Sequence, residues 1–102
     1  MYRLVITKEA YKDLEDVISY ISGTLKNPIA ADNFLKEFEE KCEIVSSNPE
    51  AYAYCNDTRL MNAGYRKIVI KNYIVFYRIN RPEKEVYIMR IIYGRRDYID
   101  LI

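Results

Sequence analysis

The chain has 102 residues, half of them hydrophobic, with only three glycines and three prolines, which predicts a single compact domain over residues 1–102. It contains no histidine and only two cysteines, so histidine-based acid–base catalysis is excluded, and neither a metal site nor a cofactor is expected. The net charge of +1 conceals an uneven distribution of charge. Residues 1–50 carry ten acids and six bases, and residues 51–102 carry five acids and ten bases. The basic half suits a nucleic acid or an acidic protein segment.

The first elements in chain order are predicted as a strand and a helix. Residues 2–6 are predicted to form a short strand, and Thr7 is suited to cap the helix that follows. Apolar residues at three- and four-residue steps predict that this helix extends to about Leu25. Charged residues follow the N-terminal segment too soon for a signal peptide, and no apolar run approaches the ~18 residues of a membrane span. We therefore expect a cytoplasmic protein that does not bind a membrane.

A second helix is predicted after the break at residues 26–28, with Asn27 as its cap and Pro28 as its first residue. Its apolar stripe includes Cys42, so this thiol is expected to be buried and inert. Cys55 is predicted to lie in a loop and lacks a histidine base, which makes it a poor nucleophile. The connection between the two helices is short, so they are expected to pack as an antiparallel hairpin.

The second half of the chain is predicted as an antiparallel meander. An irregular segment over residues 50–64 is expected to include a short strand near residues 59–61. Three strands follow over residues 65–70, 73–79 and 85–93, joined by tight turns. The predicted fold is therefore α+β, with an N-terminal strand and an antiparallel helical hairpin packed on one face of a small, twisted, mainly antiparallel sheet.

An arginine pair, Arg95 and Arg96, follows the last predicted strand beside Tyr93 and Tyr98. Two guanidinium groups fixed at a strand end can bind phosphates or carboxylates, with tyrosines beside them for stacking. They can equally be solvated side chains that close a strand. Other basic residues of this half alternate with tyrosines, a pattern that suits single-stranded RNA but also describes ordinary half-buried strand tyrosines.

A ribonuclease without histidine requires lysine, arginine and tyrosine to hold the 2′-hydroxyl group, stabilise the pentavalent phosphate and protonate the leaving oxygen. The candidates for these roles are Arg66, Lys67, Arg96 and Tyr98. Asp97, directly after the two arginines, is interpreted as a salt-bridge partner or a cap of the chain end rather than as a base.

Two motifs of the second half, Tyr73-Ile-Val-Phe-Tyr-Arg78 and Ile91-Ile-Tyr-Gly-Arg-Arg-Asp97, occur together with Gly64-Tyr-Arg66 and an Asn48-Pro49 break. In this combination the chain resembles, over essentially its full length, the RelE/ParE family of toxins from type II toxin–antitoxin modules, also described as plasmid stabilisation proteins. The resemblance implies a growth-inhibiting toxin that a tightly bound antitoxin, encoded by an adjacent gene, neutralises. We expect an acidic amphipathic segment of that antitoxin to dock on the basic half.

The two branches of this family differ in target. The RelE-like branch cuts mRNA on the ribosome and is similar to this chain at Lys67 and Arg96. It has an arginine where this chain has Ile74 and a catalytic tyrosine beyond the terminal arginines, for which Tyr98 is a displaced substitute. ParE-like members, which poison DNA gyrase, lack these groups.

The resemblance therefore favours a ParE-like inhibitor of DNA gyrase that has no catalytic activity of its own. The residues expected to bind the target are Arg59, Lys71, Tyr93, Arg95 and Arg96. One alternative is a RelE-like, metal-independent endoribonuclease that acts on mRNA in the ribosome. Another is a non-toxic module that only binds an antitoxin.

Overall fold

The computed structural model describes residues 1–94 and 101–102. Arg95, Arg96 and Tyr98, which are predicted site residues, lie outside the described residues, as does Asp97. A π-helical turn over Tyr20–Thr24 extends the first helix. In the described part of the chain the helices and strands, in order, are β1 (Arg3–Ile6), α1 (Lys8–Ser19), α2 (Pro28–Ser47), α3 (Thr58–Asn62), β2 (Arg66–Ile70), β3 (Tyr73–Asn80) and β4 (Glu85–Tyr93).

Both predicted helix caps are confirmed. The Thr7 side chain accepts a hydrogen bond from the backbone N–H of Ala10 at 3.1 Å, and the Asn27 side chain accepts one from Ala30 at 3.0 Å. These bonds satisfy N–H groups that have no partner within the first turn of a helix. None of the described helices is long and apolar enough to cross a membrane.

The first helix loses its α-helical geometry before Leu25, which differs from the prediction. The backbone N–H of Leu25 donates to the carbonyl of Tyr20, five residues earlier, and the Ser22 hydroxyl donates to the carbonyl of Ile18. A serine that bonds back to the preceding turn competes with the regular helical bond. The chain then turns at Lys26, whose φ of 53° ends any helix.

The sheet has the order β1-β4-β3-β2, with β1 parallel to β4 and the other neighbours antiparallel. A register shift between Phe76 and Tyr77 inserts one extra residue, Met89, into β4. The helical hairpin covers one face, as predicted, and its core includes Phe34, Phe38, Ile68, Val75, Tyr77 and Ile88.

The segment before β2 corrects one prediction. The short strand expected near residues 59–61 is wrong, because this segment forms α3. The Asp57 side chain accepts a hydrogen bond from the backbone N–H of Leu60 at 3.0 Å and so caps the helix. On the sheet face opposite the hairpin, a second buried cluster contains Cys55, Leu60, Phe76 and Ile92. Part of that face is therefore covered rather than open.

Candidate functional site

The strand register brings two of the predicted target-binding residues to the same end of the sheet. Lys71 lies in the tight turn between β2 and β3 with a φ of 54°, and Tyr93 pairs with Tyr73 across β3 and β4. The backbone N–H of Gly94 donates to the carbonyl of Asn72 at 2.7 Å, which fixes the end of β4 against the turn. Lys71 and Tyr93 therefore belong to one surface, although they are far apart in sequence.

Aromatic rings continue from this strand end toward the helices. The rings of Tyr73 and Tyr93 meet edge to face with centroids 5.6 Å apart, and those of Phe34 and Tyr73 do so at 5.3 Å. Burial raises the pKa of Tyr73, and the neighbouring hydroxyls of Tyr20 and Tyr93 raise it further. Tyr73 therefore keeps its phenol proton at physiological pH, and the row offers ring edges and hydroxyl groups.

A groove of about 900 Å³ lies between this aromatic row and the end of the helical hairpin. We call it the tip groove. Its charged lining residues include aspartates of α1 and Lys71, and its apolar lining includes Leu25, which has 55% of its surface exposed. Its lining includes Asp13, Asp16, Tyr20, Leu25, Phe34, Lys71, Tyr73, Arg90 and Tyr93. A lining that combines apolar and charged side chains suits a protein segment with an apolar side.

An ion pair between α1 and β4 is part of the lining of the tip groove. The Arg90 guanidinium donates to the Asp13 carboxylate from Nε at 2.7 Å and from Nη2 at 3.1 Å, and the backbone N–H of Ile91 donates to the same carboxylate at 3.0 Å. Arg90 also donates from Nη1 to the carbonyl of Leu101 at 2.9 Å. These bonds raise the pKa of Arg90, mainly through the hydrogen bonds to Asp13. Arg90, one of the basic residues of the second half, therefore uses its guanidinium group for hydrogen bonds within the protein.

Arg66, a candidate catalytic residue, is enclosed by the segment that precedes α3. Only 7% of its surface is exposed; its Nη1 donates to the carbonyl of Tyr52 at 2.7 Å, and its guanidinium carbon lies 4.0 Å from the ring centroid of Tyr54. Its Nη2 lies 3.7 Å from the Glu50 carboxylate. Among the described residues its buried Nε has no hydrogen-bond partner. We call Arg66, Glu50, Tyr52 and Tyr54 the Arg66 cluster.

The remaining predicted site residues are distributed over other elements. Lys67 is half-buried in β2, and its charge lowers the pKa of Cys55 against the dominant effect of burial, which raises it. Arg59 lies on α3, an element that packs through Leu60 on the sheet face opposite the hairpin. The described residues therefore bring Lys71 and Tyr93 together at the tip groove and place Arg59, Arg66 and Lys67 elsewhere.

The two cysteines are buried, as expected for Cys42. Burial raises the pKa of Cys42 to about 12, and it also raises that of Cys55. Because the thiolate is the reactive form, both thiols are poor nucleophiles at neutral pH.

Sequence reasoning missed Asp13, Tyr20 and Phe34 as residues of the site. A signal for Asp13 was present: it lies three residues after Ala10 and four before Val17, both of which are buried, so helical spacing puts it on the buried stripe. An acid at that position needs a cation or backbone donors beside it. No comparable signal separates Tyr20 from the other tyrosines.

The sequence matches a described family over residues 4–98, the ParE toxin of the type II toxin–antitoxin system parDE. Solved structures share the fold. The chromosomal ParDE toxin–antitoxin system from P. aeruginosa matches with a TM-score of 0.70 at 21% identity, over 91% of this chain and 96% of that one. The RelBE2 toxin–antitoxin complex from Mycobacterium tuberculosis matches with a TM-score of 0.53 at 17% identity, over 90% of this chain and 96% of that one. Among curated proteins, no sequence matches this chain.

Proposed function

Because this chain belongs to the ParE toxin family of type II toxin–antitoxin systems, we propose that it acts on DNA gyrase as an inhibitor with no catalytic activity of its own. Gyrase binds at the end of β4, where Lys71 and Tyr93 lie together and from which the chain continues to Arg95 and Arg96. The arginine pair supplies charge-assisted hydrogen bonds, and the aromatic row supplies rigid apolar area.

The enclosure of Arg66 is the observation that supports gyrase inhibition over RNA cleavage. A residue that stabilises a phosphorane must reach the phosphate, whereas this guanidinium is covered by the ring of Tyr54 and bonded to the carbonyl of Tyr52. Ile74 stands where the ribonuclease branch has an arginine, and it packs against the buried cluster with Phe76 and Ile92. Two of the positions that RNA cleavage would use therefore contribute to packing.

The partner that neutralises the toxin is an antitoxin, and we propose that its acidic amphipathic segment occupies the tip groove. The exposed apolar residues there, Tyr20, Leu25 and the neighbouring Ile29 with 74% of its surface exposed, would be buried by the apolar side of such a segment. Its acidic flank lies over Lys71, because the other charged lining residues include Asp13 and Asp16, which would repel it. A segment bound there also covers Tyr93, which accounts for neutralisation by overlap with the target surface.

Supercoiling by purified gyrase tests the proposed target. The wild-type chain is expected to inhibit supercoiling and to accumulate cleaved DNA–gyrase complexes, and Arg96→Ala or Lys71→Ala is expected to weaken inhibition at least tenfold, as loss of a charged interface contact does. Lys36→Ala is the matched control, because Lys36 is an exposed lysine paired with Asp32 on α2. If Arg96→Ala inhibits gyrase as strongly as the wild type, the arginine pair is not part of the surface that binds gyrase.

Translating ribosomes test the alternative. Primer extension on ribosome-bound mRNA after induction of the toxin is expected to show no discrete cuts. If discrete cuts appear at the ribosomal A site and Lys67→Ala or Tyr98→Phe abolishes them, the chain cleaves RNA and the proposal of gyrase inhibition is wrong. Normal growth on induction, with neither effect, would identify a module that only binds an antitoxin.

A further inference from the structure

A close approach of two backbone segments joins the end of β4 to the turn between β2 and β3. The Gly94 N–H donates to the carbonyl of Asn72 at 2.7 Å, and a β-carbon added at Gly94 would lie 3.2 Å from the same oxygen. It would also contact the side chain of Ile74 at 3.5 Å, which packs against a buried cluster. The carbonyl of Asn72 belongs to the backbone, so it can give way only if the turn moves. Glycine therefore allows the turn to lie this close to β4.

The turn that Gly94 contacts carries Lys71, one of the predicted target-binding residues. Lys71 has a φ of 54°, a backbone conformation that hairpin turns usually give to glycine, asparagine or aspartate. Its side chain is mostly exposed, and its Nζ lies 3.8 Å from the Glu37 carboxylate, which is longer than a hydrogen bond. The position of this ammonium group therefore depends mainly on the backbone of the turn.

We propose that Gly94 is a positioning residue of the surface that binds gyrase: its lack of a side chain lets the turn close against β4 and so holds Lys71 and Tyr93 in one surface. Tyr93 directly precedes Gly94 and pairs with Tyr73, the first residue after the turn. A side chain at position 94 would move the turn, and Lys71 with it, relative to Tyr93. The inference rests on the gyrase target proposed above. It gives Gly94 a role in binding that requires no contact between Gly94 and gyrase.

A double-mutant cycle in the gyrase supercoiling assay tests this role. Gly94→Ala is expected to raise the concentration needed for half-maximal inhibition at least about threefold, because the charged contact of Lys71 is displaced. In a Lys71→Ala chain the same substitution is expected to change that concentration less than about 1.5-fold, because two substitutions that remove one contact are not additive. Gly23→Ala is the matched control and is expected to inhibit as the wild type does. No described atom outside its own helical turn lies within 4 Å of a β-carbon added at Gly23.

Two results of the cycle would overturn the role of Gly94 and leave the gyrase target intact. One is full inhibition by a folded Gly94→Ala chain when Lys71→Ala weakens inhibition. The other is an equal loss of inhibition from Gly94→Ala in the wild-type and Lys71→Ala backgrounds, since the effect would then not act through Lys71. Full inhibition by Lys71→Ala would exclude Lys71 from the binding surface and reject the role of Gly94 with it. A wild-type chain that does not inhibit gyrase would instead reject the proposed target.

Amide hydrogen exchange of the wild-type chain gives a second measurement that does not depend on a variant folding. The Gly94 amide is expected to exchange at least about tenfold more slowly than in an unfolded peptide, because it is bonded to the carbonyl of Asn72. Exchange at the unfolded rate would show that the turn is not held against β4 and would overturn the proposal. In a folded Gly94→Ala chain the amide at position 94 is expected to exchange faster than in the wild type. Unchanged exchange there would show that the turn has not moved and would also overturn it.

Discussion

The Arg66 cluster and the tip groove use similar residue types in opposite ways. Each places a cation beside tyrosines where chain segments meet the sheet, yet the Arg66 guanidinium is 4.0 Å from a ring and bonded to backbone, whereas the Lys71 side chain is 67% exposed at an open groove. The difference comes from residues 50–54, which fold over Arg66, while nothing in the described chain covers the groove. A basic, tyrosine-rich sequence therefore does not identify a binding site until the covering segments are known.

The largest expected effect is a loss of stability in the Arg66 cluster, which distinguishes it from the tip groove. Arg66→Ala is expected to lower the free energy of unfolding by about 3 kcal/mol, because it leaves the carbonyl of Tyr52 without its donor and a cavity under Tyr54. Urea denaturation followed by circular dichroism measures this change. Lys36→Ala, which removes an exposed lysine, is the control and is expected to change stability by less than about 0.5 kcal/mol. A loss for Arg66→Ala as small as that of the control would mean that Arg66 is not structural.

A smaller effect on stability is expected at the ion pair between Asp13 and Arg90 in the lining of the tip groove. Asp13→Asn keeps the size of the side chain but removes the charge that binds the Arg90 guanidinium and the N–H of Ile91, at an expected cost of about 1–2 kcal/mol. Asp16→Asn is the control, since Asp16 makes only an exposed pair with Lys12 among the contacts of α1 that the structure describes. The comparison of their melting temperatures decides whether the ion pair of Asp13 with Arg90 stabilises the fold. Equal melting temperatures for the two variants would contradict it.

Alkaline pH tests the packing of the buried Tyr77, whose hydroxyl donates to the carbonyl of Pro49 at 2.8 Å. Burial raises the pKa of Tyr77 from 10.0 to about 12. Between these values the unfolded chain loses the phenol proton and the folded chain keeps it. The stability that Tyr77 contributes through this difference in pKa is therefore fully present below pH 10 and is lost as the pH rises toward 12.

The measurement is urea denaturation at pH 9 and at about pH 11. Tyr77→Phe is expected to lower stability by about 1 kcal/mol at pH 9, through the lost hydrogen bond, and to lose less further stability than the wild type by pH 11. Burial also raises the pKa of Cys42 to about 12, which adds a decline that both proteins share. Parallel declines in the two proteins would show that Tyr77 does not contribute.

The smallest change in stability is expected at the open margin of the groove. Leu25→Ser is expected to alter the free energy of unfolding by less than about 0.5 kcal/mol, because the leucine is already more than half exposed. Antitoxin binding is expected to weaken about tenfold, since the same side chain would be buried in the complex. Isothermal titration against the antitoxin measures the affinity. A Leu25→Ser variant that loses stability but binds the antitoxin with unchanged affinity would show that Leu25 contributes to the fold and not to the binding surface.

Local signals in the sequence were sufficient for most of the elements. Thr7 and Asn27 cap helices because a short polar side chain can reach a free backbone N–H of the first turn, and this depends only on neighbouring residues. The same local signal, Asp57 before Leu60, is present at α3, where the prediction of a strand near residues 59–61 is wrong. The π-helical turn depends on a contact between Ser22 and the preceding turn, which spacing alone does not reveal.

The sequence by itself determined the α+β class, the helical hairpin, the antiparallel strands and the family, since all of these follow from periodicity, caps and motifs. Only the tertiary structure decided which basic residues are available. Arg66 and Lys71 are five residues apart and share a charge, but residues 50–54 pack over one and leave the other open. Such coverage depends on contacts between segments distant in sequence, and the free energy of each contact is set by burial and geometry rather than by residue type.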